Sequence, residues 1–262
     1  MKANLTDEQV RSAADLLVAA REKRIKLGNL PAELVPEDTY GIQRIINAVS
    51  EQIDRPVKGW KSYCFYKPMN APFFAPVYDV FRSGESIPNE VSPGRLAEPE
   101  VMFRLDKDLP AREGRYEVAE VAEAVTCVLG FELIGSRFSY ELPHELTGEA
   151  AHHNSLCDHI ANGALVIGDE VPGWRDIDFE DVLLRFYEDG RELVSVRGVH
   201  GFDNPFLPVV VGVNRLRRHK GAKKGDIILT QSSTSFFPIK AGSTAHAIYE
   251  GLGEVKATFA AA

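Results

Sequence analysis

The hydrophobic period of this 262-residue chain changes once, near residue 56, and that change governs what the chain can fold into. Before it, apolar residues recur at helical spacing. Val10, Ala13, Ala14, Leu17 and Ala20 follow Thr6 and Gln9, which have the spacing of a capping box. A second amphipathic helix is expected from Pro36, a residue suited to a first helical turn, carrying Tyr40, Ile42, Ile45, Ile46 and Val49. Beyond residue 56 the texture becomes short β-rich runs separated by Pro, Gly and Asn. Strands are expected over 57–61, 101–105, 124–134, 164–167, 226–230, 244–250 and 254–259, with a helix over 205–219. Asp189-Gly190, between VLLRFYE and RELVSV, predicts a two-residue hairpin, because both central positions of a type I′ turn need positive φ. The pattern predicts an α+β fold, with a small helical N-terminal region (residues 1–55) packed on a larger, mainly β domain (residues 56–262).

Charge and composition exclude several functions. The net charge of −8, with no basic stripe to offset it, argues against nucleic acid as a partner. The cluster Arg215, Arg217, Arg218, His219 and Lys220 falls at the end of a predicted helix, where cations complement the dipole. No apolar stretch approaches the roughly 20 residues of a membrane helix, and the start is polar, so a cytoplasmic protein is expected. Cys64, Cys127 and Cys157 are too scattered for a disulfide framework or a zinc site, and are expected to be buried thiols.

Three acids stand out against this background. In LAEPEVMFRL, Glu98 and Glu100 lie two apart at the entrance to an apolar strand, on one face and roughly 6 to 7 Å apart at their Cα atoms. Two like charges this close raise one another's pKa unless a cation intervenes. Glu132 sits in VLGFELIGSRF, deep in a run that reads as a buried strand, where an ionised carboxylate needs a partner. A hard cation taking oxygen ligands would satisfy all three. The alternative is that Glu98 and Glu100 are solvated at a strand end while Glu132 pairs with Arg137 or another base.

The order and spacing of EPE and FELIGSRF resemble the metal-binding acids of the fumarylacetoacetate hydrolase superfamily. Other segments resemble its 2-hydroxypentadienoate hydratase and oxalocrotonate decarboxylase branch: VPEDTYGIQ, KGWK, APFFAPVYD, CDHIANGALVIG, GDIILTQSSTSFFPIKAG and YEGLGEVKATF. The resemblance runs in order along nearly the whole chain. It implies a mixed β-roll core in a catalytic domain, a Mg²⁺ or Mn²⁺ ion, and a homo-oligomer. Carried over by position, Glu98, Glu100 and Glu132 match the metal ligands and Lys61 the lysine that faces the substrate. Asp158 and Asn162 match residues that either bind substrate or cap a turn. Ser232, Ser233 and Thr234 match a carboxylate-binding segment in which relatives have glycine where this chain has Gln231.

Two positions depart from the branch. An acid is common where this chain has Asn70 and Ala71, and an aspartate is frequent at Gly135. His152 and His153 offer imidazoles able to move protons near neutral pH, or form a surface loop pair. The implied activity is that of a metal-dependent lyase on a small 2-oxo or 2-hydroxydienoic acid of aromatic catabolism. Hydration of a 2-hydroxy-2,4-dienoate through a metal-bound enolate leads, ahead of decarboxylation of an oxalocrotonate-like diacid or C–C hydrolysis of an acylpyruvate. A non-catalytic assembly subunit is the reading from another class.

Overall fold

A computed structural model describes residues 5–63, 73–139, 149–200, 204–232 and 234–261, with backbone alone for 63, 73 and 149–152. The first helix, α1 (Asp7–Lys23), starts as its sequence predicts. Thr6 Oγ1 accepts from the Gln9 amide at 3.2 Å, and Gln9 Oε1 from the Thr6 amide at 2.9 Å. Its apolar stripe, Val10 to Ala20, is buried.

Helix α2 (Thr39–Gln52) begins three residues later than expected. Asp38 takes the capping position by accepting from the Gly41 amide at 2.7 Å, and Pro36 is left outside the helix. A carboxylate at the cap satisfies an orphan amide, which a proline in the first turn cannot do. The shift leaves Tyr40 exposed, with the Arg44 guanidinium over its ring, while Ile42, Ile45, Ile46 and Val49 stay buried.

The remaining strands are β1 (Gly59–Tyr63), β2 (Phe73–Val77), β3 (Val80–Arg82), β4 (Ser86–Ile87), β5 (Leu96–Leu105), β6 (Val125–Ile134), β7 (Asn162–Glu170), β8 (Leu183–Glu188), β9 (Arg191–Arg197), β10 (Ile227–Leu229), β11 (Phe237–Pro238), β12 (Thr244–Tyr249) and β13 (Gly253–Phe259). Three further helices, α3 (Val118–Ala122), α4 (Glu149–Cys157) and α5 (Phe206–Leu216), connect them. Among the described residues, one mixed sheet runs β2-β1-β10-β5-β6-β7-β3, with β11 also on β5, and a second runs β4-β13-β12-β8-β9. The Asp189-Gly190 hairpin forms with φ of +48° and +81° at its two turn residues.

Alternation along β5 and β6 sorts the core. Val101, Phe103, Leu129 and Phe131 enter the main core beneath the second sheet, where Phe131 packs on Phe186. Met102 and Val128 turn to the opposite face and meet Leu165 and Leu229. Helices α1 and α2 share another cluster with Phe138, Leu156, Cys157 and Ile160, so their core reaches well beyond residue 55. Cys127 and Cys157 are buried thiols as expected, and burial pushes the Cys127 pKa up to about 12. Cys64 lies outside the described residues.

Gly135 is explained by packing. A Cβ there would come within 2.5 Å of the Val91 carbonyl oxygen and 2.8 Å of Gly163 Cα. The aspartate frequent in the resembling family therefore has no room here. Gly135→Ala is expected to lower stability by about 1–3 kcal/mol through overpacking against backbone that cannot swing away. Thermal unfolding of the two proteins checks this.

Candidate metal centre

Strand β5 is longer than its apolar run suggests, and the EPE segment lies inside it rather than at its entrance. Pairing with β6 is antiparallel and sets Glu98 directly opposite Glu132, and Glu100 opposite Gly130. On its other side β5 is paired by β11 at Leu96 and Ala97, and by β10 from Met102 to Arg104. Residues 98–101 fall in the gap between those two strands. Pro99, which has no amide to give a ladder, is tolerated in that interval. The gap opens into a cavity of about 330 Å³ lined by the three glutamates, Lys61, Gln231 and Thr234 among others.

Carboxylate oxygens of Glu98, Glu100 and Glu132 all lie within 4.8 Å of one another. Glu132 is fully buried, Glu100 nearly so, and Glu98 reaches the cavity mouth. Glu132 pairs with a base, as the alternative reading allowed, but the base is Lys61 rather than Arg137, and Glu98 and Glu100 line an internal cavity instead of a solvated strand end. Lys61, in the middle of β1, places its Nζ 2.5 Å from Glu132 Oε1 and 3.0 Å from the Ile160 carbonyl oxygen. One ammonium faces three carboxylates. Oε2 of Glu100 and Oε2 of Glu132 are buried without a hydrogen-bond partner.

The electrostatics follow from that imbalance. Burial, then the Glu132 charge, push the Glu98 pKa up to about 8 despite the nearby Lys61. Burial first, then Glu132 and Glu98, raise Glu100 well above the ordinary carboxylate range, and burial raises Glu132 against the pull of Lys61. For Lys61, burial acts downward but is outweighed by Glu132 and Glu98, leaving the ammonium held above its ordinary range. Converging, partly unpartnered carboxylate oxygens suit a hard divalent cation, which would hold all three acids ionised.

Because protons and a cation compete for these oxygens, divalent-metal affinity is expected to rise with pH up to about 8. Binding should release protons below that point. Calorimetric titrations in buffers of different ionisation enthalpy measure the release directly; pH-independent affinity between pH 6 and 8 would contradict the raised pKa values.

The other predicted site residues divide. Thr234 reaches the cavity, and Ser232 is paired with it: Ser232 Oγ lies 2.9 Å from Thr234 Oγ1 and accepts from the Thr234 amide at 3.0 Å. Ser233, like Asn70 and Ala71, lies outside the described residues. Asp158 is fully buried, and both its oxygens are taken by Arg137, with Arg21 adding a third donor at 3.0 Å. Asn162 is buried, with its Nδ2 donating to the carbonyls of His159 and Pro76. The structure thus gives both residues turn-holding partners.

The histidines are not a surface loop pair. Residues 152 and 153 are in α4, and His153 is buried with Nδ1 donating to the Pro36 carbonyl at 2.6 Å. That contact ties α4 to the segment leading into α2, and His153 does not line the acid cavity. The His152 side chain is not among the described ones. No histidine lines the acid cavity among the described residues, which removes His153 as a proton carrier there.

Two further contributors to the site are a carbonyl without a sequence signal and a glutamine that the sequence marks only as a departure from glycine. The Ile160 carbonyl is a backbone group, visible only once the fold brings it to Lys61. Gln231 has φ of +94°, in the region that favours glycine, and its backbone amide hydrogen-bonds Glu100. A glutamine therefore occupies a glycine-type conformation at the position where the resembling family has glycine.

No family model matches the chain. It is 25% identical over 269 residues to a 2-keto-4-pentenoate hydratase of Paraburkholderia phymatum, covering 97% of this chain and 98% of the relative. It is also 25% identical over 239 residues to a 2-oxo-hept-4-ene-1,7-dioate hydratase of Escherichia coli, covering 87% and 88%. Among solved structures, the 4-oxalocrotonate decarboxylase of Pseudomonas putida G7, complexed with magnesium and adipate, shares the fold with a TM-score of 0.76. That match has 17% identity and covers 98% of this chain and 100% of the other. Together these findings point to an enzyme, and the chain shares the α+β fold of that decarboxylase. Both curated relatives are hydratases of small 2-oxo acids. Among the described residues no helix is long and apolar enough to cross a membrane.

Proposed function

We propose that the chain is a divalent-metal-dependent hydratase of a small 2-hydroxy-2,4-dienoate or its 2-oxo tautomer. The observation that carries this reading is the trio Glu98, Glu100 and Glu132, gathered within 4.8 Å beside the Lys61 ammonium. Mg²⁺ or Mn²⁺ held by these carboxylates would supply Lewis-acid polarisation of a substrate's carboxylate and 2-oxygen.

The chain's own groups do the rest. Lys61, beside the acids, would stabilise negative charge developing on the 2-oxygen as the dienol shifts a proton along its chain, and a fixed ammonium does so without reorganising. Thr234, at the cavity wall beside Ser232, supplies a hydroxyl for the substrate carboxylate. The apolar floor at Leu229 keeps the carbon chain away from bulk water. Hydration then adds hydroxide and a proton across the conjugated double bond, giving a 4-hydroxy-2-oxo acid.

Decarboxylation or C–C hydrolysis would draw on the same stabilised enolate, so substrate choice decides among them. Purified protein with Mg²⁺ is to be assayed against a simple 2-hydroxydienoate, an oxalocrotonate-like diacid and an acylpyruvate. Fastest turnover of the dienoate, abolished by chelation, supports the proposal; turnover of the diacid alone, with release of CO₂, replaces it with a decarboxylase.

A further inference from the structure

We infer that Asp158, Arg137 and Asn162 are positioning residues for Lys61, acting through a left-handed turn at residues 159–161. The inference rests on the catalytic reading of Lys61 given above.

His159, Ile160 and Ala161 have φ of +49°, +57° and +56° in succession. Left-handed backbone disfavours any residue with a Cβ, a β-branched isoleucine most of all, and a run of three persists only where its surroundings over-determine it. Here they do. The Asp158 carbonyl accepts from the Ala161 amide at 2.9 Å and from Arg137 Nη2 at 3.2 Å. The His159 carbonyl accepts from Asn162 Nδ2 at 2.7 Å, and the Ala161 carbonyl from the Gly135 amide at 2.9 Å. Asp158 is itself clamped at both oxygens by Arg137, whose Nη2 also reaches the Asn162 carbonyl at 3.1 Å.

The carbonyl these bonds leave over is that of Ile160, and it accepts from Lys61 Nζ. A turn that merely joined α4 to β7 would have no reason to aim a carbonyl at that ammonium. The other partner of Lys61 is Glu132, which the proposed cation would claim. A cation on Glu132 weakens its attraction for Lys61 and repels the ammonium as well. A neutral carbonyl has no charge to be neutralised, so it holds Nζ in the cavity after metal loading. The strained turn supplies the anchor that the acids then cannot.

The test pairs a spectroscopic readout with a kinetic cycle. In protein labelled with ¹⁵N-lysine, the Lys61 ammonium should give a slowly exchanging ¹H–¹⁵N signal, identified by its loss in Lys61→Met, with and without Mg²⁺. Asn162→Ala should broaden or abolish that signal while Mg²⁺ affinity holds within about twofold; kcat should fall between about 10- and 100-fold with KM little changed. In the Lys61→Met background the same substitution should change kcat by less than about twofold, because it acts through the missing ammonium. Asn162→Ser, with a shorter hydroxyl donor, repeats both arms if the alanine variant does not fold. An unchanged ammonium signal in the Asn162 variant, a Lys61 signal absent from wild type, or rate losses that multiply independently of Lys61 would each overturn the inference. If wild type turned over none of the acids tested, the functional reading would fail, while the spectroscopic arm would still decide whether the turn holds Lys61.

Discussion

Glu98→Gln, Glu100→Gln and Glu132→Gln each weaken Mg²⁺ or Mn²⁺ binding by more than about 100-fold, a larger loss than outer-sphere changes give at metal sites. Each variant removes an ionisable oxygen from a trio whose oxygens lie within 4.8 Å. Stability of the metal-free protein moves the other way for Glu98 and Glu100. Their folded pKa values lie above the ordinary carboxylate value, so the folded state binds more protons than the unfolded one. These two groups therefore take stability from the metal-free wild type as pH rises from about 4.5 towards 8. The amide variants, which carry no charge, escape that loss, so near pH 8 metal-free Glu98→Gln and Glu100→Gln melt above wild type. Glu132→Gln differs, because it strips Lys61 of its ion-pair partner and leaves a partly buried ammonium with the Ile160 carbonyl as its remaining direct acceptor and the more distant Glu98 and Glu100 charges. Its melting temperature should fall. Calorimetry for metal and thermal melts at pH 5 and pH 8 separate the three variants; unchanged metal affinity in all of them would sink the site.

Lys61→Met lowers kcat and kcat/KM together, by about 10² to 10³, the loss typical of removing one donor from a charge-stabilising pocket. Metal affinity should hold or rise, since the ammonium now competes with a cation for Glu132. The metal-free variant should be less stable than wild type, because truncating one partner of a buried pair leaves the other uncompensated. Added Mg²⁺ should restore much of that stability by binding the folded state alone. A variant with wild-type kcat and only a raised KM would show that Lys61 contributes uniform substrate binding.

The legible parts of this chain are those set by local rules. The Thr6–Gln9 capping box and the Asp189-Gly190 hairpin need only neighbours in sequence, and both form as read. The start of α2 was misplaced because two local signals compete there, and the Asp38 side chain, not Pro36, reaches the orphan amide. The acid trio is half legible: two acids on one strand face and a third in an apolar run suggest a shared cation, but Arg137 offers Glu132 a rival partner, and only the β5–β6 register brings the three together. Asp158 shows the limit. Sequence leaves its carboxylate open between binding substrate and capping a turn, and the arginines that occupy it, Arg21 and Arg137, arrive from 137 and 21 residues away. His153 follows the same rule, since the Pro36 carbonyl that holds it in the interior is 117 residues distant.

The proposed function stands or falls on one divalent cation among Glu98, Glu100 and Glu132. Anomalous diffraction from crystals of the protein soaked in Mn²⁺ locates the ion directly. One strong peak is expected within about 2.5 Å of an oxygen from each of the three carboxylates, at the bond lengths hard cations take. A Mn²⁺ peak elsewhere in the chain, with the Lys61–Glu132 pair intact and no density between the acids, would contradict it.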